Sequence, residues 1–204
     1  MGNKRVIDRS IPYYNLILKC NEICITSVLL PEGYSFQMYN KGDEKHWAEL
    51  EYEIGDFSSI EEAKTYFRRN YCTQIDELKK RCVFVVDDKG NVVGSCIAWH
   101  DLKDKATVAS LHWLVVSPKY QGKHIGLALC QKVMEIFKKS GEFPVYIHTQ
   151  PWSYKAIFLY TKLGFKIQKT DTFSHYENQY VQALETLKTI LTESQITQLI
   201  KYSE

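Results

Sequence analysis

The stretch LVVSPKYQGKHIGLALCQKVMEIFKK, residues 114–139, contains a change of structural period. Its first residues continue an apolar run with β-branched side chains, and Ser117-Pro118 ends that run because proline has no backbone N–H for a strand ladder. Beyond the turn, apolar residues recur at helical spacing and form one stripe: Ile125, Leu129, Val133, Ile136 and Phe137. The stretch therefore predicts a strand, a short turn and an amphipathic helix that ends near Ser140-Gly141.

The turn itself has the chemistry of an anion site. The first amides of a helix have no intrahelical acceptor and together carry about half a positive charge, so they bind phosphate groups well. Two glycines let a ligand approach the backbone, and a lysine adds a cation. The alternative is a turn that only makes the corner, and the spacing matches neither a Walker loop nor a G-x-G-x-x-G dinucleotide motif. The amides concerned belong to Gln121, Gly122, Lys123, His124, Ile125 and Gly126.

Composition limits the classes of protein to consider. A chain of 204 residues with 45% apolar content can form one main domain. The formal net charge of +2 argues for neither a nucleic-acid nor a membrane partner, and no apolar run approaches a membrane span. Six cysteines without zinc spacing predict reduced thiols in a cytoplasmic protein and no metal site.

The segments before the central stretch alternate between strand and helix signals. A short strand follows Pro31, one helix ends at Gly55, and Ser58 or Ser59 caps a second helix. The runs CVFVVDD, VVGSCIAWHD and ATVASLHWLVV are separated by short polar turns, which predicts an antiparallel meander.

The segments after the central stretch complete an α/β (α+β) pattern. PVYIHTQ predicts a strand, Ser153 can cap a further helix that Gly164 ends, and FKIQ predicts a short strand. The C-terminal tail predicts two helices, the second capped at Thr192 or Ser194.

Two motifs in these segments resemble a known family. VVSPKYQGKHIGLALCQKV (115–133) is similar to the acyl-CoA binding motif of the GCN5-related N-acetyltransferase (GNAT) family, a [QR]-x-x-G-x-[GA] loop. SYKAIFLYTKLGF (153–165) is similar to the later family segment N-x-x-A-x-x-x-Y-x-x-x-G-F. Both occur in the usual order, and the resemblance covers residues 33–170.

The sequence departs from these motifs at two positions. His124 replaces the usual glycine and Ser153 the usual asparagine. We expect a right-handed backbone at His124, since a left-handed one would cost roughly 1 to 2 kcal/mol. Ser153 is expected to remain a helix cap.

The resemblance implies a fold and a central domain, and it does not extend to the first or the last 30 residues. The fold is a mixed, mostly antiparallel central sheet, flanked by helices and split between the fourth and fifth strands. Residues 31–175 would form the acetyltransferase domain, with residues 1–30 as a flap or added strands. Residues 176–204 would form C-terminal helices packed on the same domain.

The resemblance also implies direct acetyl transfer from acetyl-CoA to an amine. The enzyme would then be an acyltransferase that transfers acyl groups other than aminoacyl groups. No cysteine nucleophile is required, so we expect Cys130 to be a core residue. The expected carrier-binding residues are Leu114, Val115 and Val116 on the strand, Gln121, Gly122, Lys123, His124, Ile125 and Gly126 in the turn, and Ser153.

Two residues are candidates for proton transfer. The resemblance assigns Tyr160 the role of general acid for the departing thiolate, and the alternative is simple packing of its ring. Ser110 stands where many family members carry a carboxylate base, whereas His112 is a base candidate. Strand alternation would place both on one face with Leu114 and Val116, although a structural histidine is equally compatible. His148, Glu51 and Glu53 are weaker candidates.

The sequence therefore predicts an acetyl-CoA-dependent N-acetyltransferase for a primary amine of a small molecule. The alternatives are a protein or peptide N-acetyltransferase and a catalytically degenerate acyl-CoA-binding module. The oligomeric state is open, a homodimer included.

Overall fold

The computed structural model describes residues 7–22 and 29–204. In this part of the chain the strands are β1 (Leu16–Cys20), β2 (Tyr34–Met38), β3 (Cys82–Asp87), β4 (Val92–Lys103), β5 (Ala106–Val116), β6 (Val145–Thr149) and β7 (Lys166–Ile167). The α-helices are α1 (Glu44–Ile54), α2 (Ile60–Asn70), α3 (Ile75–Arg81), α4 (Ile125–Ser140), α5 (Tyr154–Lys162), α6 (Tyr180–Ile190) and α7 (Glu193–Lys201). None of these helices is both long and apolar enough to cross a bilayer. Cys24 and parts of the predicted flap or added strands at residues 1–30 lie outside the described residues.

The strands form one sheet in the order β2-β3-β4-β5-β6-β1-β7. The pairs β2/β3, β3/β4, β1/β6 and β1/β7 are antiparallel. Strands β5 and β6 are parallel, with Ala109 opposite Val145 and Ser110 opposite Tyr146. The expected mixed, mostly antiparallel sheet with flanking helices is confirmed. The split that was expected between the fourth and fifth strands lies between β5 and β6. The numbers differ by one because β1 was not counted among the predicted strands.

Strand β1 settles one question that the sequence leaves open. LILKC pairs on both sides, with Leu16 opposite Thr149 of β6 and Leu18 opposite Ile167 of β7. Leu16, Ile17 and Leu18 are buried. An interior strand covered on both faces has no polar alternation, so its sequence cannot be distinguished from a short buried helix.

Several helix ends confirm the predicted signals. Gly55 follows α1 with a left-handed φ of 98°, and the Ser59 hydroxyl accepts a hydrogen bond from the Glu62 N–H at 3.1 Å. Thr192 forms a capping box with Gln195 at the start of α7. These ends are predictable because each one depends on side chains within a few residues of it.

Helix α3 was not predicted. It has seven residues and no side-chain cap, and Leu78 is its buried apolar residue. Two turns are too short to show an apolar period. The remaining signal is charge, with acidic residues in the first turn and basic residues in the last, which complements the helix dipole.

The chain divides into two compact units, each with its own core. The first contains described residues 7, 29–98 and 112–136, and its buried side chains include Trp47, Phe67, Phe84, Leu129 and Val133. The second contains described residues 8–22, 99–111 and 137–204, and its buried side chains include Ile17, Tyr146, Phe165, Phe173 and Leu187.

Gly94 in β4 should not tolerate even a methyl group. A Cβ at this position would lie 2.8 Å from the Val115 carbonyl oxygen and 3.1 Å from the Leu129 Cδ1. Because a backbone oxygen cannot rotate away, we expect Gly94→Ala to lower the free energy of unfolding by about 1 to 3 kcal/mol in urea denaturation. Ser95→Ala is the control, since the buried Ser95 hydroxyl has no hydrogen-bond partner among the described residues and its loss should cost far less. Equal destabilisation by the two substitutions would contradict this account.

Candidate active site

The turn between β5 and α4 is an exposed loop of the first unit. The N–H of the buried Ser117 donates to the Val93 carbonyl at 2.9 Å, which ties the end of β5 to β4. Residues 121–124 are all exposed. Within the described part of the chain, the first amide beyond Tyr120 that donates to a backbone carbonyl is that of Ala128, which bonds to His124 at 3.1 Å. The amides of residues 122–127 are therefore available to a ligand.

His124 has a left-handed backbone, with φ of 62°. The expectation of a right-handed residue is wrong, because the chain leaves Gly122 and enters α4 through a left-handed step at this position. Glycine makes that step without strain, whereas a residue with a Cβ does not. The histidine is thus a strained replacement, and not only a bulkier one.

His124→Gly should raise the free energy of unfolding by about 0.5 to 1 kcal/mol. The relief of roughly 1 to 2 kcal/mol of left-handed strain outweighs the larger backbone entropy of glycine in the unfolded chain. Gly122→Ala is the converse test, since Gly122 has φ of 80° and a Cβ there would meet no atom within 4 Å. It should destabilise through backbone strain alone. Urea denaturation of the ligand-free protein measures both changes, and a less stable His124→Gly variant would refute the assignment of strain.

Lys123 lies against two tyrosines of the same unit. Its Nζ is 3.1 Å from the Tyr34 hydroxyl oxygen and 5.3 Å from the centre of the Tyr120 ring. The Tyr120 hydroxyl donates to Asp87 at 3.0 Å. Hydrogen bonds from Asn91, reinforced by Tyr120, lower the pKa of Asp87 to about 2. The lysine remains exposed and can still turn toward an anion in the loop.

The end of β5 does not alternate as expected. Trp113 has a left-handed φ of 52° inside the strand, and such a residue interrupts the pleat in the manner of a bulge. His112 and Trp113 consequently both contact the region of α1 and α2, although they are consecutive. Simple alternation therefore cannot be carried through Trp113, and the common face of His112, Leu114 and Val116 stays a prediction.

The predicted carrier-binding strand residues lie directly beyond this interruption. Val115 is buried, whereas Leu114 and Val116 are half-buried. The Gln121 side-chain amide donates to the Val116 carbonyl at 3.1 Å. This bond ties the start of the exposed loop to the end of the strand.

His112 is held by a residue that the sequence analysis missed. Its Nδ1 lies 2.8 Å from the hydroxyl oxygen of Tyr71, which is 2% exposed. The thiol of Cys96 donates to the His112 carbonyl at 3.8 Å. Tyr71 follows α2 and is 41 residues from His112 in sequence, so no local pattern could have identified the pair.

Four aromatic rings of the first unit form a group that includes Trp113, the residue after His112. Trp47, Phe57, Tyr66 and Trp113 contact one another in every pairing, with ring centres between 5.3 and 6.2 Å apart. Trp47 is fully buried, and the other three rings are half-buried. Phe57 and Tyr66 lie outside the sequence motifs described above. The half-buried rings form an apolar surface, here called the aromatic cluster.

Glu51 is a poor candidate for an ionised base. It is 1% exposed, and one of its carboxyl oxygens has no hydrogen-bond partner among the described residues. Burial, with a further contribution from the neighbouring Asp56, raises the pKa of Glu51 well above its ordinary range. The neutral acid is therefore favoured. Glu53 is half-buried on the same helix.

Cys130 is a buried residue of α4, as expected. Burial, together with the neighbouring Cys96, raises the pKa of the Cys130 thiol well above its ordinary range. A protonated, inaccessible thiol is not a nucleophile.

The remaining candidates belong to the second unit. Tyr160 is a buried residue of α5 whose ring lies 6.1 Å from that of Phe165. Ser153 does not cap α5; its hydroxyl accepts instead from the Gln150 side chain at 3.0 Å. The capping expectation is wrong because a short 3-10 turn at Pro151–Ser153 already leads into the helix. The His148 ring stacks on Tyr176 at 3.7 Å, and its Nε2 lies 2.9 Å from the side-chain Oδ1 of Asn15, which fits a structural role.

Comparisons with known proteins identify similar sequences. A sequence model of the acetyltransferase (GNAT) family matches residues 43–165. An uncharacterized N-acetyltransferase of Methanocaldococcus jannaschii is 27% identical over an alignment of 152 residues, and the match covers 72% of this chain and 67% of that protein.

Solved structures share the fold. A GCN5-related N-acetyltransferase from Sphaerobacter thermophilus has a TM-score of 0.58 and 18% identity, and the match covers 76% of this chain and 50% of that one. This chain thus spans half of that protein. Glucosamine-6-phosphate N-acetyltransferase from Arabidopsis thaliana has a TM-score of 0.53 and 17% identity, with coverage of 71% and 99%. At these identities the likeness shows the fold alone.

Proposed function

The chain belongs to the GCN5-related N-acetyltransferase (GNAT) family, and on that premise we propose that it moves an acetyl group from acetyl-CoA directly to a primary amine of a small molecule. The observation that carries the proposal is the exposed turn before α4, where the N–H groups of residues 122–127 donate to no backbone carbonyl. Such amides match the charge of a diphosphate.

The residues of the turn fit the carrier. Gly122 has open space around its Cα, so a ligand can approach the backbone closely. Lys123 supplies a cation for the diphosphate, and Gln121 holds the turn against the strand end at Val116. In the proposal, the backbone of residues 114–116 lines the pantetheine arm.

The transfer requires a neutral amine, because an ammonium has no lone pair with which to attack. We assign the removal of that proton to the His112 imidazole. The amine nitrogen then bonds to the thioester carbonyl carbon, and backbone amides at Leu114 or Val116 stabilise the oxyanion. As the C–S bond breaks, Tyr160 is assigned the proton that neutralises the departing thiolate, and the second proton that the former amine nitrogen loses on becoming an amide restores the Tyr160 hydroxyl. The Tyr160 assignment rests on the family motif.

The aromatic cluster supports a small acceptor with a flat apolar portion. Its half-buried rings include Trp113, which follows His112 directly in the chain. Rings of this kind bind apolar groups and planar ring systems.

The proposal also places the reaction in the cytoplasm, because the five described cysteines are free thiols, as a reducing compartment favours.

A catalytically degenerate acyl-CoA-binding module is the second candidate, and Ser110 favours it. This residue is buried and stands where many family members carry a carboxylate base. A binder of this kind needs the turn before α4 but neither His112 nor Tyr160.

Release of the CoA thiol in the presence of an amine panel distinguishes the two candidates. The panel should contain arylalkylamines, aliphatic amines, amino sugars and peptides with a free N-terminus. The proposed function predicts thiol release that depends on one class of small amine, with the acetylated product identified by mass spectrometry. Binding of acetyl-CoA without acceptor-dependent release would establish the binding module instead, and turnover confined to peptides would refute the small-molecule acceptor.

A further inference from the structure

Tyr71 and His112 form a hydrogen-bonded pair within the first unit. The Tyr71 hydroxyl oxygen lies 2.8 Å from the Nδ1 of His112, and the two rings meet edge to face at 6.0 Å between centres. Tyr71 is 2% exposed, whereas His112 is half-buried. The tyrosine is therefore inside the fold and the histidine is partly accessible.

The hydroxyl of Tyr71 is fixed by the end of α2. The Tyr71 N–H donates to the Phe67 carbonyl at 2.9 Å, and its ring packs on the Phe67 ring at 5.2 Å. Phe67 is itself fully buried and contacts Trp47 at 4.9 Å. A hydroxyl held by buried rings on a helix end has little freedom to follow the histidine, so the histidine is oriented by the tyrosine.

The backbone of His112 is held as well. Its carbonyl accepts from the Cys96 thiol, and the next residue, Trp113, has a left-handed backbone and is packed in the aromatic cluster. The hydrogen bond at Nδ1 acts on the imidazole ring itself and on the choice of the nitrogen that carries its proton. Only one nitrogen of a neutral imidazole has a lone pair, and the hydrogen bond at the other nitrogen selects it.

We propose that Tyr71 is a positioning residue whose hydroxyl oxygen accepts the Nδ1–H of His112 and thereby leaves the lone pair on Nε2. This inference rests on the proposed function, in which His112 is the base. The acceptor ammonium gives its proton to Nε2, and the neutral nitrogen then bonds to the thioester carbon. The imidazolium keeps its Nδ1–H bond to Tyr71 and later releases the Nε2 proton to solvent. Tyr71 itself neither gains nor loses a proton.

The opposite arrangement would have the opposite consequence. If the Tyr71 hydroxyl donated to Nδ1, the neutral imidazole would carry its proton on Nε2, and that nitrogen could not accept one from the amine. The location of a single proton therefore decides whether this pair prepares a base.

Nitrogen-15 NMR of histidine-labelled protein measures that location without turnover. The chain contains six histidines, and loss of one signal in His112→Gln assigns the resonance of interest. We expect neutral His112 to show a protonated Nδ1 and an unprotonated Nε2 in the wild-type protein, and Tyr71→Phe to remove that preference. A protonated Nε2 in the neutral wild-type histidine would overturn the proposal.

Kinetics with the best amine of the panel provide the second readout. Tyr71→Phe should lower kcat/KM for the amine about tenfold and leave KM for acetyl-CoA unchanged, since one hydrogen bond to the base is lost. Tyr52→Phe is the control, because Tyr52 is 45% exposed on α1 and should behave as wild type. An unchanged kcat/KM in Tyr71→Phe would also overturn the proposal. An inactive wild-type protein would refute the proposed function separately, since the tautomer is measured without an acceptor.

Discussion

Tyr160→Phe should lower kcat by about 10²- to 10³-fold when acetyl-CoA and amine are both saturating. A general acid typically contributes this much, because without it the thiolate must leave unprotonated or wait for water. The substitution removes one oxygen from a buried ring, so the fold should persist. Steady-state release of the CoA thiol measures the effect.

The control for this prediction lies on the same helix. Tyr154 begins α5 and is half-buried, so Tyr154→Phe removes a hydroxyl from the same element without touching the proposed acid. It should retain turnover within about twofold. Full turnover in Tyr160→Phe would show that the hydroxyl is not the acid and that Tyr160 serves in packing only.

His112→Ala should lower kcat/KM for the amine by about 10²- to 10³-fold and alter its pH profile. A base that must accept the proton of the amine loses activity as the pH falls, because a ring that is already protonated cannot accept another proton. That fall on the acid side should be absent in the variant, whose residual rate depends on hydroxide and water. Tyr71 and Cys96 each form a hydrogen bond with His112, the first with its ring and the second with its backbone carbonyl.

His46→Ala is the matched control for the loss of a histidine. His46 lies on α1, where its Nδ1 is 3.3 Å from the Glu49 carboxylate at the surface. Its profile should overlay that of the wild type. If His112→Ala instead keeps the wild-type profile at a reduced rate, His112 is structural, and the base is to be sought elsewhere.

The features that were predictable from the sequence depend on neighbouring residues. Gly55, Ser59 and Thr192 mark helix ends because capping acts within one turn. The strand, turn and helix of 114–139 were predictable because a proline and two glycines mark the place where the apolar pattern changes from the strand period to the helix period. The three-strand meander followed from its short connections.

The features that were missed depend on distant contacts or on backbone angles. Strand β1 is apolar throughout because it is covered on both sides, and its place between β6 and β7 leaves no local trace. The left-handed angles at Trp113 and His124 occur in residues that rarely adopt them, so residue type gave the wrong expectation. Tyr71 became a candidate only when folding brought the end of α2 to β5.

The site shows the same division between local and distant causes. The amides before α4 follow from the chain alone, since every helix begins with unpaired donors. The left-handed backbone at Trp113 interrupts the strand directly after His112, and the strand period could not reveal it. Ser153 was misjudged for a local reason, since the turn beginning at Pro151 removes the extended backbone that a capping residue uses.

The central claim is that the turn before α4 binds the diphosphate of the acetyl carrier. Isothermal titration with acetyl-CoA and with acetyl-pantetheine, which has the same thioester arm but no diphosphate, tests it most directly. The account predicts saturable binding of acetyl-CoA and at least 100-fold weaker binding of acetyl-pantetheine, a loss of about 2.7 kcal/mol. Equal affinity for the two ligands, or no heat from acetyl-CoA at millimolar concentration, would contradict it.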